Sequence, residues 1–579
     1  MTEHILSALI FVPLFFALIL LLFPSENKLS FKTGTLLATS IQLFIALVLF
    51  SRVQVGNNLL KGVDGNFQFV EKYDWISLNL GNFGRLSIDY FLGVDGLNIS
   101  MVLLTAIVLF IAAISSWTIK KFTKGYFLLF LVLDASIMGS FLALDFFLFF
   151  LFFEFMLLPM YFLIGIWGGI RRNYASIKFF LYTLLGSVFI LIIMIGLYTS
   201  VIDPAETAVN LGIVDNLKDV QELNVKFVQD ALQKEQIPAS LQVHTFSIPA
   251  MMDVKNYVPG SFFALGSDYS VLGLPARLFA FLLIFIGFAI KLPAVPFHTW
   301  LPDAHVEAPT PISVILAGIL LKIGGYGILR IGYSIFPEGG IHFAWWVGFI
   351  GVVSIIYGAL NALAMKDLKK LIAYSSVSHM GFVLLGIASM TIEGINGAIF
   401  QMFSHGLISS ALFLVAGVIY DRTKDRMIEN YSGLAILMPA FTVAVIITFF
   451  ASLGLPGFSG FVAEVLVFLG SFNSAISNGL LPKWFTVVAI MSLVLTAGYY
   501  LWTIQRMFLG KTWTRNKEFV VDLKDLNYRE YFMFVPLITL MFLFGIFPSL
   551  MLNIINISAD HFIDFVLANG NSNLNFLNK

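Results

Sequence analysis

Apolar residues along this chain gather in blocks of about twenty, the length a helix needs to cross a ~30 Å hydrocarbon layer at ~1.5 Å per residue. The blocks fall near residues 4–23, 31–51, 94–116, 126–144, 145–168, 177–200, 273–292, 309–331, 343–364, 371–390, 395–420, 435–472, 485–508 and 531–552. They predict an all-α membrane protein of about fourteen transmembrane helices. The seventh and twelfth blocks are interrupted, at KLPAVP (291–296) and GLPGFSG (454–460). Two long polar stretches, 52–93 and 201–272, read as extramembrane loops. The opening block, HILSALIFVPLFFALILLLF, has no basic flank and no A-x-A-like site, so it reads as a retained helix and not a signal peptide.

Composition agrees with that pattern. Of the 579 residues, 59% are hydrophobic and 12% charged, with 61 phenylalanines, outside the range of soluble domains. Equal numbers of basic and acidic residues, 34 each, give no pull toward nucleic acid. The absence of cysteine excludes disulfides, thiolate-ligated iron–sulfur clusters and C-x-x-C-H haem sites. Eight scattered histidines form no metal-ligand spacing. Twenty of the 34 Lys and Arg fall in alternate short loops, among them Lys120, Lys121, Lys124, Arg171, Arg172 and Lys366. The positive-inside rule puts those loops in the cytoplasm and both termini and both long loops outside.

Six ionisable residues lie where hydrocarbon disfavours them. Glu154 stands nine residues past Asp145, about half-way across the core. Lys291 ends an apolar run beside two prolines, and Lys322 is central in its block. His379 and His405 lie in the tenth and eleventh blocks, and Glu464 follows the second interruption. A lone buried histidine ordinarily makes a structural hydrogen bond, and one Glu with one Lys can simply lock two helices. His298 and His305, after the first interruption, read as loop or cavity-mouth residues. Two lysines, two carboxylates and two histidines strung over several helices exceed what locking requires, and their chemistry is proton handling. A carboxylate ~4 Å from an ammonium contributes ~4 kcal/mol at an effective dielectric near 20. Moving one charge against roughly 180 mV costs about the same, ~4 kcal/mol. Moving a glutamate toward or away from Lys291 would therefore switch that lysine between holding and releasing a proton.

The interruptions also point to an internal repeat. LPAVPFHTW (292–300) and LPGFSGFVA (455–463) each begin with Leu-Pro, inside blocks of five helices, 4 to 8 and 9 to 13. An odd number of helices per copy inverts the second relative to the first. The expected division is 1–125 for helices 1 to 3 with the outer loop 52–93, and 126–331 for the first repeat with the insertion 201–272. The inverted second repeat then takes 332–510, and 511–579 holds a cytoplasmic loop, helix 14 and a short outer tail.

The stretch FAIKLPAVPFHTWLPDAHVEAPTPISVILAGILLKIGGYGILR (288–330) resembles the antiporter-like subunits of respiratory complex I and of multisubunit cation/proton antiporters. FEFMLLPMYFLIGIWGG (153–169), LIAYSSVSHMGF (371–382), FSHGLISSALF (403–413) and GLPGFSGFVAE (454–464) extend that resemblance through almost the whole chain. It implies fourteen core helices with two inverted repeats and a proton path through Glu154, Lys291, Lys322, His379, His405 and Glu464. It further implies that the chain binds no cofactor. NADH, FMN, iron–sulfur clusters and quinone then belong to other subunits of the complex, and the partners are other membrane-arm subunits, two of them homologous. The expected location is the bacterial inner membrane. A glutamate at 464, where other members of the family carry lysine, selects one type of subunit. The alternatives are a cation/proton antiporter subunit, a proton-pumping membrane hydrogenase and a scaffold without a transport role. The insertion 201–272 is long for the family, as an outer cap or a contact with a neighbour.

Overall fold

A computed structural model describes residues 4–54, 67–516 and 523–577. Lys61, Lys517 and Lys579, counted in the charge asymmetry, and the middle of the 52–93 loop lie outside the described residues. Helices 1 to 6 run Ile5–Leu21, Lys28–Arg52, Ile99–Ser115, Thr123–Leu142, Phe146–Trp167 with a turn at Met156, and Arg172–Ser200. Helix 7 is two pieces, Ala276–Lys291 and Trp300–Glu307. Helices 8 to 11 are Thr310–Tyr333, Ala344–Ala364, Leu368–Ser389 and Ile392–Thr423. Helix 12 is again two pieces, Pro439–Ser452 and Ser459–Ser477, followed by helices 13, Lys483–Met507, and 14, Tyr528–Ile546. Helices 3, 8, 10 and 11 are enclosed by the others, whereas helices 2, 6, 13 and 14 expose most of their flanks. Helices 9 and 10 approach closely where Gly358 faces Ser378 and Gly381 faces Gly351, the small-residue packing that brings backbones together without a hydrophobic driving force.

Both interruptions are built the same way. In helix 12, Leu453 N–H donates to Phe449 O, Gly454 takes φ +68°, and Leu455 N–H reaches back to Phe450 O, closing the helix with a left-handed residue. In helix 7, Leu292 N–H donates to Phe288 O and Ala294 N–H to Ala289 O, with Pro293 at the equivalent position and lacking an N–H. Phe297 N–H to Ala294 O then matches Phe458 N–H to Leu455 O. The backbone register therefore aligns Leu292 with Leu453 and Lys291 with Ser452. The two Leu-Pro steps, expected to mark the repeat, are out of register with one another.

Two stretches depart from the sequence reading. Val94 ends a strand and residues 95–98 form a turn, so helix 3 begins five residues later than expected, at Ile99. Helix 14 stops at Ile546 because Pro548 cannot continue it, and the tail expected to be short is helix 15, Ser549–Leu577, of 29 residues. Its sequence, polar in NGNSNLN, folds against other elements at the end of the bundle where the long loops lie. Ser558 Oγ accepts from Gly96 N–H at 2.9 Å, Asn396 Nδ2 donates to Asn556 Oδ1 at 2.7 Å, and Asn573 Nδ2 donates to Glu338 Oε2 at 2.9 Å.

The two long loops make one cap. Strands β1, Gln68–Asn79, and β2, Arg85–Val94, form an antiparallel hairpin, and β3, Val243–Thr245, adds to β2 in parallel. Glu71 on β1 closes the start of helix 1, accepting from Leu6 N–H at 2.8 Å, a carboxylate at a positive helix end. The insertion has its own small core of Ile202, Ala208, Val228, Leu232 and Ile237. It is tied to the hairpin by Lys72, whose ammonium lies 3.2 Å from Asp89 and 3.4 Å from Asp203, while Ser87 Oγ donates to Glu206 at 3.3 Å. Among the described residues this carboxylate trio is the group placed to hold a metal, and it already surrounds an ammonium.

Three buried carboxylates around one lysine cannot all ionise cheaply. Burial, with the charges of Asp203 and Asp89, pushes Glu206 up to about 7, and burial raises Asp89 against the pull of Lys72. Burial opposes the Lys72 charge, but Asp203, Asp89 and Glu206 hold its pKa above the ordinary value. Asp74 and Asp145 add further negative charge near Asp89. Glu206 therefore binds its proton more tightly when folded, so its stabilisation is complete below about pH 4.5 and is lost as pH rises through about 7. We expect the cap to loosen by on the order of 3 kcal/mol over that window. Hydrogen exchange of residues 201–272, corrected for the intrinsic rate, should quicken from pH 5 to pH 8 in wild type and change much less in Glu206→Gln.

Candidate functional site

The expected residues separate into a joined group and a spaced pair. Lys322 lies in helix 8 between two segments of wider π-type turns, Leu316–Leu320 and Ile328–Tyr333. Such turns free carbonyls from the regular ladder, and Lys322 Nζ donates to one of them, Ala317 O. Its other partner is His405 Nδ1 at 2.9 Å. The rings of His405 and His379 lie 5.4 Å apart, and His379 Nδ1 is 3.6 Å from Glu464 Oε1. All four side chains are buried. His379, Gln401, His405, Ser452, Gly460 and Glu464 enclose a cavity of about 10 Å³, close to the space of one water.

The Lys322–His405 contact serves two protonation patterns, an ammonium donating to a neutral imidazole or an imidazolium donating to a neutral amine. A proton can cross it without the heavy atoms moving. His379 is held from both sides: Gln401 Nε2 lies 3.2 Å from Nδ1, and Ser452 Oγ lies 3.3 Å from Nε2. Ser452 continues to Tyr500 Oη at 2.8 Å, which meets Ser375 Oγ at 2.9 Å. With the Gln401 amide donating to Nδ1, the ring proton sits on Nε2, and transfer to Glu464 requires Gln401 to give way.

Glu154 and Lys291 form no ion pair with one another, and among the described residues Glu154 Oε1 and Lys291 Nζ each lack a hydrogen-bond partner. Pro159 explains the turn that follows Glu154, because its ring interferes with the carbonyl of Phe155 and helix 5 is interrupted at Met156. Lys291 is the last residue of the first half of helix 7, where the negative helix end favours a cation. Its ammonium sits 4.6 Å from the ring centre of Phe153, beside Glu154 in sequence. Helix 8 reaches this break through Gly324, where a Cβ would press on Leu292 N and Phe288 O.

His305 is not a loop residue: it lies inside the second half of helix 7, fully buried and stacked on Phe413 at 4.2 Å. Pro302 is tolerated there because it falls in the first turn. His298 is also buried, against Tyr357 at 5.0 Å. Among the described residues, the ring nitrogens of His305 have no hydrogen-bond partner. Beyond His305, Glu307, Lys369, Asp421 and Arg426 line a cavity of about 140 Å³ at the end of the bundle carrying the basic loops.

Sequence reasoning missed Asp134 in helix 4. It is fully buried and accepts from Gln42 Nε2 at 2.7 Å, while the same amide donates to Leu9 O at 3.0 Å. The signal was present, a single acid in LLFLVLDASIMGS. Ser452, Tyr500 and Gln401 carried no sequence signal of their own.

A many-helix membrane bundle with two interrupted helices and a buried line of Lys, His and Glu between them defines a class of ion-translocating membrane proteins. The chain belongs to the family described as NADH:quinone oxidoreductase/Mrp antiporter, TM, which matches residues 143–202 and 246–496. It is 38% identical over 564 residues to the NADH-quinone oxidoreductase subunit M of Rickettsia prowazekii (strain Madrid E), covering 96% of this chain and 98% of that one. Among solved structures it is similar to a chain of respiratory complex I from Thermus thermophilus with bound NADH, with TM-score 0.73 and 26% identity over 98% of this chain and 100% of that one. A chain of the Mrp complex from Dietzia sp. DQ12-45-1b shares the fold, with TM-score 0.72 and 21% identity over 98% of this chain and 99% of that one.

Gly454 is the backbone position on which the helix 12 end of the line rests. Its φ is +68°, and a Cβ there would strike the Glu464 carboxylate. Gly454→Ala should cost about 1 to 2 kcal/mol of local strain and displace Glu464 from His379. The expected outcome is assembly close to normal with turnover lowered by about tenfold or more, measured on membranes with the subunit quantified.

Proposed function

We propose that this chain is a subunit M of NADH-quinone oxidoreductase that translocates protons across the bacterial inner membrane. The observation that carries the reading is the line Lys322–His405–His379–Glu464, joined by contacts of 2.9 Å, 5.4 Å between rings and 3.6 Å. Relatives named as subunit M, matched over nearly their full length, support it. The cavity at Glu307 and Lys369 admits water from the basic side, His305 and Lys322 receive the proton, and Glu464 is the last carrier before release. Glu154 and Lys291 form a separate switch: in the arrangement observed they are apart, and their approach would hold a proton on Lys291. The chain itself carries no redox centre, and quinone reduction in other subunits drives the movement. The five-helix repeats 126–331 and 332–510, with both termini and the cap outside, complete the reading, with homologous membrane-arm subunits as neighbours.

Glu464→Gln should leave the complex assembled and reduce coupled quinone reduction and proton pumping by about tenfold or more, the scale of losing one acid–base group. Glu464→Asp should retain much more. Full pumping in Glu464→Gln would reduce the residue to a packing role.

The orientation has its own test, and the absence of native cysteine supplies the background. Ser240 is exposed on the cap and Tyr528 is exposed at the start of helix 14. On intact cells an impermeant thiol reagent should label Ser240→Cys, and should label Tyr528→Cys only after permeabilisation. The reverse pattern would overturn the orientation.

A further inference from the structure

At the basic end of the bundle five lysines converge on the junction of helices 1, 2 and 4. Lys124 Nζ donates to Leu21 O at 2.8 Å and Phe23 O at 2.9 Å, closing the carbonyl end of helix 1. Lys32 Nζ donates to Trp117 O at 2.7 Å, and Lys120, Lys28 and Arg529 are its charged neighbours. Lys28, Lys120 and Lys121 are exposed, and among the described residues none of the five forms an ion pair. The acid in the same turn is Glu26, which accepts from Ser25 Oγ at 3.3 Å. Helices 2 and 4 both begin here, and among the described residues neither first turn has a side-chain cap.

The rim of this basic surface is apolar. Leu22 is 85% exposed and Phe122 66% exposed, and Leu29 projects from the first turn of helix 2. Phe122 holds φ +46°, a left-handed conformation that costs a phenylalanine about 1 to 2 kcal/mol, so the backbone accepts strain to present that ring. Lys121 Nζ lies 5.2 Å from its centre. A ligand that satisfies both parts must be anionic at one end and hydrocarbon at the other.

We infer that the lysines at the junction of helices 1, 2 and 4 form a headgroup site for an anionic phospholipid of the adjacent leaflet. Its phosphodiester oxygens accept from Lys28, Lys120 and Lys121 and from the uncapped N–H groups of helices 2 and 4. Its acyl chains lie along Leu22, Leu29 and Phe122. Lys32 and Lys124, fixed by backbone carbonyls, hold the helix ends and supply background charge. The site is independent of the proton reading, since none of these residues belongs to the buried line.

The test uses the full chain in its membrane complex, placed in nanodiscs of phosphatidylglycerol and phosphatidylcholine. The immobilised fraction of a spin-labelled phosphatidylglycerol is compared with that of the labelled phosphatidylcholine. Wild type should retain phosphatidylglycerol preferentially, and each Lys→Gln change at 28, 120 or 121 should lower retention about fivefold. The triple Lys→Arg variant should keep it, and added inorganic phosphate should not displace it. Equal retention of the two lipids in wild type, or unchanged retention in the triple Lys→Gln variant, would overturn the proposal. Displacement by inorganic phosphate would also overturn it, in favour of a site for free anions.

Discussion

A helix that ends inside hydrocarbon leaves carbonyls without partners, and that cost can be met only by other protein groups or by trapped water. Helices 7 and 12 both end there, at Leu292 and Leu453, with one hydrogen-bond register. Much of the bundle is arranged to make those ends tolerable. Helices 8, 10 and 11 are enclosed so that polar groups on them can face the breaks without meeting lipid. Lys291 complements the negative end of one half-helix, and the Ser452 hydroxyl occupies the same position in the other. Gly454 and Gly324 are small because carboxylate and backbone pass directly over them.

The spacing of the buried groups has a physical meaning of its own. Lys322 and His405 touch at hydrogen-bond distance, but His379 and Glu464 stand 3.6 Å apart and Glu154 and Lys291 do not pair. A line in continuous hydrogen-bond contact would conduct in both directions. On the proposed proton path, gaps beside a cavity of about one water would make each step conditional on a side chain turning or a water entering. Gln401, resting on the His379 nitrogen that faces Glu464, would make that condition chemical as well as geometric.

The spans were legible because a membrane imposes one length and one composition on every crossing segment, and the breaks were legible because Pro293 and Gly454 carry backbone constraints that sequence displays. Glu154, Lys291, Lys322 and Glu464 stood out as charges in apolar runs. The contacts among them were not legible, since which faces of helices 8, 10, 11 and 12 meet is decided by packing far apart in sequence. Asp134 was visible by the same rule as Glu154 and was passed over. His305 was misplaced because the prolines at 293 and 296 read as the start of a loop, whereas the chain recovers helical geometry at Trp300. Helix 15 escaped notice because its end is as polar as a solvated tail, and its order comes from partners such as Gly96, Asn396 and Glu338.

Helix 15 also bears on the order in which the chain folds. Its contacts at Gly96, Asn396 and Glu338 join residues 556–573 to segments that lie 160 to 462 residues earlier in the chain. Membrane helices can insert one after another as they leave the ribosome, but the surface that helix 15 covers has nothing to close it until that helix has been made. The turn at Gly96 and the buried Glu338 thus wait in an unfinished surface while the 462 and 235 residues that separate them from their partners are made. Closure by helix 15 is a late, high-contact-order event in the assembly of the bundle.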